Sequence, residues 1–181
     1  MGYLVFIDEA GFMLAPLVRR TWAPRGKTPI ITVAEPHGRI SVIGAMTISP
    51  SRRSFGFHYH LLQDNVNFHG DAVVSFVDQI HEKLRGSITI LWDTIQIHHD
   101  RAVEYYLSTH PRISIKPFPP YAPELNPVDY VWSYVKYDRL ANYCPPDLTE
   151  LRKRIEEEFL SLQKQPQLLR ALFRRTGLNL D

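Results

Sequence analysis

The chain has 181 residues, 44% of them hydrophobic and 22% charged, which fits one globular domain and excludes a disordered or low-complexity chain. Its net charge of +2 permits contact with nucleic acid without arguing for it. A lone cysteine, Cys144, excludes an intramolecular disulfide and a thiolate zinc site.

Tyr3 to Ile7 is an unbroken apolar run ending at Asp8-Glu9 and then Gly11, as in a short strand buried on both faces. Residues 12–39, rich in Pro, Gly and Arg, read as an irregular excursion or loose hairpin. Ile40 to Ile48 is a second strand. From Ser54 to Leu62, Phe55, Phe57, Tyr59 and Leu61 alternate with smaller or polar residues, the pattern of a strand with one buried face. Ala72, Val73, Phe76, Val77, Ile80 and Leu84 then fall on one helical stripe, with Gly86 as its stop. Ile88 to Trp92 is a further apolar run, again ending in an aspartate, Asp93. Ala102 to Leu107 suggests a short helix, and Ile113 with Ile115 a short strand. A proline-dense loop, Pro117 to Pro127, leads into a helix beginning near Asn126. Two amphipathic helices follow, through Leu148–Leu162 and Leu168–Phe173.

The order β-β-β-α-β-α-β-α-α-α predicts an α/β domain with a mixed sheet, antiparallel in its first part and parallel in its second. The first and fourth strands are the most apolar and belong at the centre. If they lie parallel and adjacent, their carboxyl ends coincide, and Asp8 and Asp93 meet where ligands of α/β sheets bind.

Carboxylates held this close raise one another's pKa values unless a cation intervenes. Hard divalent ions take oxygen ligands and keep several waters, so three acids and a phosphate suit them. Each acid also has an ordinary reading. Asp8 and Asp93 fit polar residues where strands surface, and Asn126, Pro127 and Asp129 make good helix-start chemistry without any metal.

The segment PPYAPELNPVDYVW (119–132) resembles the signature around the third catalytic acid of mariner-superfamily transposases, particularly their bacterial insertion-sequence branch. LVFIDEAGF (4–12), RRTWAPRGKTP (19–29) and WDTIQIHH (92–99) resemble the family's first-aspartate strand, the loop after it, and its second-aspartate strand, in family order. The resemblance implies one RNase H-like catalytic domain over 1–181, with strand order 3-2-1-4-5. It also implies Asp8, Asp93 and Asp129 as catalytic ligands of two Mg²⁺ or Mn²⁺ ions. Glu9, Thr94, His98, Glu124 and Asn126 become candidates for the surrounding contacts. Thr94 stands where many relatives have Asn, and Asp129 where this bacterial branch more often has Glu.

The implied activity is phosphodiester hydrolysis and strand transfer on DNA, at transposon ends and target, by a DNA transposase acting as a homodimer. The family's N-terminal helix-turn-helix region has no counterpart before Tyr3, so a separate DNA-binding polypeptide is an expected partner. The alternatives are a catalytically silent relic or regulatory binding protein, and another RNase H-like nuclease. Residues 1–53 carry seven Lys/Arg against three acids, either a solvated surface or one that faces phosphate. Arg19, Arg20, Arg25, Lys27 and Lys136 are the DNA-binding candidates. Trp22, Pro24 and Arg25 form either a substrate-facing loop or a hairpin packed by Trp22, and Trp132 reads as core. The Arg/Lys and Glu residues interspersed along the C-terminal helices read as a solvated face. No apolar run approaches the roughly 18–20 residues that cross a bilayer, and the N-terminus lacks a signal-peptide layout. A cytoplasmic, nucleoid-associated protein without a membrane partner is expected.

Overall fold

In the computed structural model, residues 1–30, 37–93, 100–120 and 122–180 are described. Five strands form one sheet: β1 (Tyr3–Met13), β2 (Arg39–Ile48), β3 (Phe55–Leu61), β4 (Ile88–Trp92) and β5 (Ile113–Pro117). Their order is β3-β2-β1-β4-β5. β1 pairs antiparallel with β2 and parallel with β4, and β4 pairs parallel with β5. This is the expected RNase H-like arrangement.

β1 departs from expectation in length. It does not stop at the acidic pair but continues to Met13. Among the described residues its pairing with β4 reaches only Phe6, while β2 stays paired with it as far as Met13. The polar residues therefore lie inside a strand, where the parallel neighbour ends. An apolar run marks where both neighbours are present, not where pairing stops. Phe12 and Met13 consequently belong to the sheet rather than to the excursion.

The helices start where local chemistry supports it. α1 (Gly70–Lys83) carries the predicted stripe, with Val73, Phe76, Val77 and Ile80 buried. α2 (Arg101–Thr109) is capped by Asp100, which accepts from the Ala102 amide at 2.8 Å. α3 (Pro127–Tyr134) has Asn126 as cap and Pro127 in its first turn, then widens into a π-helical turn, Val135–Arg139. α4 (Leu148–Gln163) is capped by Asp147, whose carboxylate accepts from the Glu150 amide at 2.8 Å. α5 (Pro166–Arg174) opens on a proline.

The sheet separates two cores. On one face, Phe6, Phe12, Met46, Phe57, Trp132 and Phe159 pack among α3, α4 and α5. On the other, Val5, Ile7, Ile43, Ile90 and Trp92 meet α1 and Val103 of α2. Burial of each such side chain contributes about 1.5–3 kcal/mol. β2 is buried along all but its first residue, as expected of a strand with paired edges and two covered faces. Glu158 departs from the solvated face expected of the C-terminal helices. It is 4% exposed and is held by Arg139 Nε and Arg154 Nη2, each at 2.7 Å.

Candidate active site

Alternation along β1 sends Val5 and Ile7 to the α1 face and Phe6 to the α3 face, so Asp8 faces α3 as well. On β4, Ile90 and Trp92 face α1, Leu91 packs on the α3 side, and Asp93 follows directly after the strand. The register that joins Tyr3 to Ile88 and Phe6 to Leu91 leaves Asp93 just beyond the end of β4, near enough to Asp8 for its charge to raise the Asp8 carboxyl. The third acid arrives on α3, which is tied to β1 at its first residues. The buried Asn126 side chain donates from Nδ2 to the Ile7 carbonyl at 3.1 Å and accepts from the Val128 amide at 3.1 Å. One amide thus caps α3 and fixes its start beside the residue that precedes Asp8.

One turn beyond Asp129, Trp132 lies over β2 among Phe12, Phe57 and Phe159, with ring centroids 5.9–6.1 Å away. Its Nε1 donates to Asp8 Oδ2 at 2.7 Å. The ring fits because Gly44 has no side chain: a Cβ there would come 2.5 Å from Cη2 of Trp132. Lys136, in the π-helical turn, is half-buried with its ammonium 5.1 Å from the centre of the Phe12 ring.

Burial, more than any neighbour, pushes the Asp8 carboxyl up to about 8; Asp129, Glu9 and Asp93 push the same way, and the Trp132 indole opposes them. Asp129 is raised by burial and by Asp93, while its hydrogen bond with Asp8 and the charge of Lys136 pull it down. Burial lowers Lys136 against the pull of Asp8 and Asp129. Full ionisation of the cluster would therefore place more negative charge there than its surroundings compensate, and hard oxygens are its donors. That combination fits a divalent cation of the Mg²⁺ type.

The other predicted residues are dispersed. Glu9 is half-buried and adds its charge to that felt by Asp8. Glu124 is exposed on a 3₁₀ turn, Pro123–Leu125. Thr94 and His98 lie outside the described residues. Arg19, Arg20, Arg25 and Lys27 are all exposed. Arg19 lies over the Tyr137 ring at 4.6 Å, which brings the basic loop against the middle of the π-helical turn. Trp22 is 99% exposed and packs no hairpin.

Two residues escaped the sequence reading. Trp132 is core, as expected, but also a hydrogen-bond donor to the site; a buried indole N–H needs a partner, and Asp129 one turn earlier was the available hint. Gly44, inside an apolar strand, had only its missing side chain as a signal.

Residues 3–152 match the sequence profile of the family described as DDE superfamily endonuclease. No curated protein sequence matches the chain significantly. Among solved structures it is similar to the Mos1 mariner paired end complex with Mg, at TM-score 0.68 and 18% identity over 96% of this chain and 53% of that one. It is similar also to the paired end complex with Mn, at TM-score 0.62 and 18% identity over 98% and 56%. The isolated catalytic domain of Mos1 mariner transposase gives TM-score 0.56 and 15% identity over 98% and 84%. At such identities the likeness is one of fold, and the chain spans little more than half of the chains in the paired end complexes.

Proposed function

The chain belongs to the DDE superfamily endonucleases, and from that premise we propose that it is the catalytic domain of a DNA transposase, cutting and joining phosphodiesters at transposon ends. The observation that carries this reading is the nearness of Asp8, Asp93 and Asp129, close enough to act on one another's ionisation, with Asp8 raised by burial and by Asp129 and Asp93, and Asp129 raised by burial and by Asp93. Two Mg²⁺ or Mn²⁺ ions held by these acids would activate the attacking oxygen and stabilise the leaving one. Mos1 structures with Mg and with Mn, and a Mos1 complex with its left transposon end, support the choice of metal and of DNA.

The protein's own groups set the geometry. Trp132 fixes the Asp8 carboxylate and leaves its other oxygen free of that bond. Asn126 holds the start of α3, and so Asp129, against β1. Lys136 places a cation beside the acids, where a DNA phosphate would enter. Arg19, Arg20, Arg25 and Lys27, exposed on one loop, would meet the backbone further along. Contacts of that kind position the duplex without reading its sequence. Reading of the ends then falls to a further DNA-binding module, such as a separate polypeptide, and two copies would act together on two ends. A nucleoid-associated location would follow.

The test is nicking of supercoiled DNA in Mg²⁺ or Mn²⁺ by wild type and by Asp93→Ala. Metal-dependent nicking lost in the variant is expected. Equal nicking by a folded Asp93→Ala protein would refute the assignment, and a folded wild type that neither binds metal nor nicks would favour the silent relic.

A further inference from the structure

Toward the opposite end of β4 lies a group of side chains that could hold a metal ion, independent of the three acids. Asp78 and His81 sit one turn apart in α1, and His110 is the residue that ends α2. One donor atom from each lies within 4.8 Å of the others. The five residues of β4 separate this group from Asp93 by roughly 16 Å at strand rise.

The neighbours of these side chains set their orientation. The Tyr106 hydroxyl donates to Asp78 Oδ1 at 2.7 Å, leaving the other carboxylate oxygen to coordinate. His110 Nδ1 faces the Tyr106 carbonyl at 2.7 Å. A carbonyl only accepts, so Nδ1 carries the proton and Nε2 keeps its lone pair. The His110 ring is further held by stacking on Tyr106, 3.9 Å between centroids. Arg112 Nη2 donates to His81 Nε2 at 2.6 Å. A guanidinium has no acceptor, so that nitrogen too is unprotonated. Hydrogen bonds from a histidine's second nitrogen to a carbonyl, and from a tyrosine to a carboxylate, are the outer contacts that orient metal ligands.

We infer that Asp78, His81 and His110 form a binding site for a borderline divalent ion such as Zn²⁺, clipping the end of α1 to the end of α2. Two imidazoles and one carboxylate suit Zn²⁺ and leave one tetrahedral position to water; Mg²⁺ prefers all-oxygen shells. Zn–ligand bonds of about 2.0–2.1 Å require the three donors to close in from their present spacing, which half-buried side chains at helix ends allow. Arg112 is the built-in competitor, since it occupies the His81 lone pair. Once displaced, it retains the carbonyls of Leu84 and Gly86, each at 3.1 Å.

The inference is tested by calorimetric Zn²⁺ titration of the full chain carrying Asp8→Asn and Asp93→Asn, in excess Mg²⁺, so that binding at the three acids does not contribute. One equivalent of Zn²⁺ should bind with micromolar or tighter affinity. His110→Ala and His81→Gln should each weaken it at least tenfold with unchanged far-ultraviolet circular dichroism. Arg112→Ala should tighten it. Absence of binding, or binding indifferent to both histidine substitutions, would overturn the inference and leave the proposed nuclease centre untouched.

Discussion

Asp8 lies directly across the β1–β2 ladder from Gly44, the position where any side chain would strike the ring that holds Asp8 in place. The strand pairing therefore couples the site's geometry to a missing side chain on a neighbouring strand.

Gly44→Ala should displace Trp132 from β2. Overpacking of this kind costs about 1–3 kcal/mol, to be read as a lower urea midpoint. Metal-dependent nicking should fall with it, because the indole can no longer reach Asp8. A variant as stable and as active as wild type would show that the ring is not confined there.

Trp132→Phe keeps an aromatic ring in the core but removes the donor. The Asp8 pKa, already about 8, should rise further. A hydrogen bond to a charged group is worth about 1.5–3 kcal/mol, so Mg²⁺ affinity near neutral pH should drop at least about tenfold. Raising the pH should restore part of it; a loss independent of pH would indicate a packing effect alone.

Asp8 also makes stability depend on pH when divalent ions are chelated. Its folded pKa lies above the ordinary 3.8, so its contribution is full below about pH 4 and is lost as pH rises through about 8. Relative to Asp8→Asn, the wild type in EDTA should become progressively less stable across that window. Mg²⁺ should reverse the loss, since it binds the ionised form. Parallel urea midpoints for the two proteins at every pH would contradict this.

His58 contributes with the opposite sign. Burial on the α1 face, and secondarily Lys83, lowers it from 6.5 to about 4. Stability tied to its neutral form is present above pH 6.5 and is lost as pH falls to about 4, by at most on the order of 3 kcal/mol. His58→Leu should flatten this acid limb in thermal melts between pH 7 and 4.

The fold was legible because its strands differ in character. Apolar runs at Tyr3–Ile7 and Ile88–Trp92 marked the two central strands, and the helical stripe from Ala72 to Leu84 marked the helix that leads from β3 into β4. The length of β1 was not legible, because Asp8 and Glu9 interrupt the apolar pattern while backbone pairing, which has no side-chain signature, continues. Asp8, Asp93 and Asp129 could be read as candidates from their places at strand and helix ends and from the resemblance of the surrounding segments. The role of Trp132 could not: an indole that packs and an indole that also donates look alike in sequence. The buried Glu158 was hidden for a similar reason. Three consecutive glutamates look solvated until the π-helical turn brings Arg139 back against α4.

The bond from Asn126 to the Ile7 carbonyl spans 119 residues, and its consequence concerns biosynthesis. A ribosome releases β1 before α3, so a nascent chain carries Asp8 without Asp129 beside it at least until the stretch from Ile7 to Asn126 has been made. The three acids can come together only after α3 has emerged and docked beside β1. A chain truncated before that point should fail to assemble the proposed cutting centre, so any nuclease activity of that centre would begin only after Asp129 has been translated.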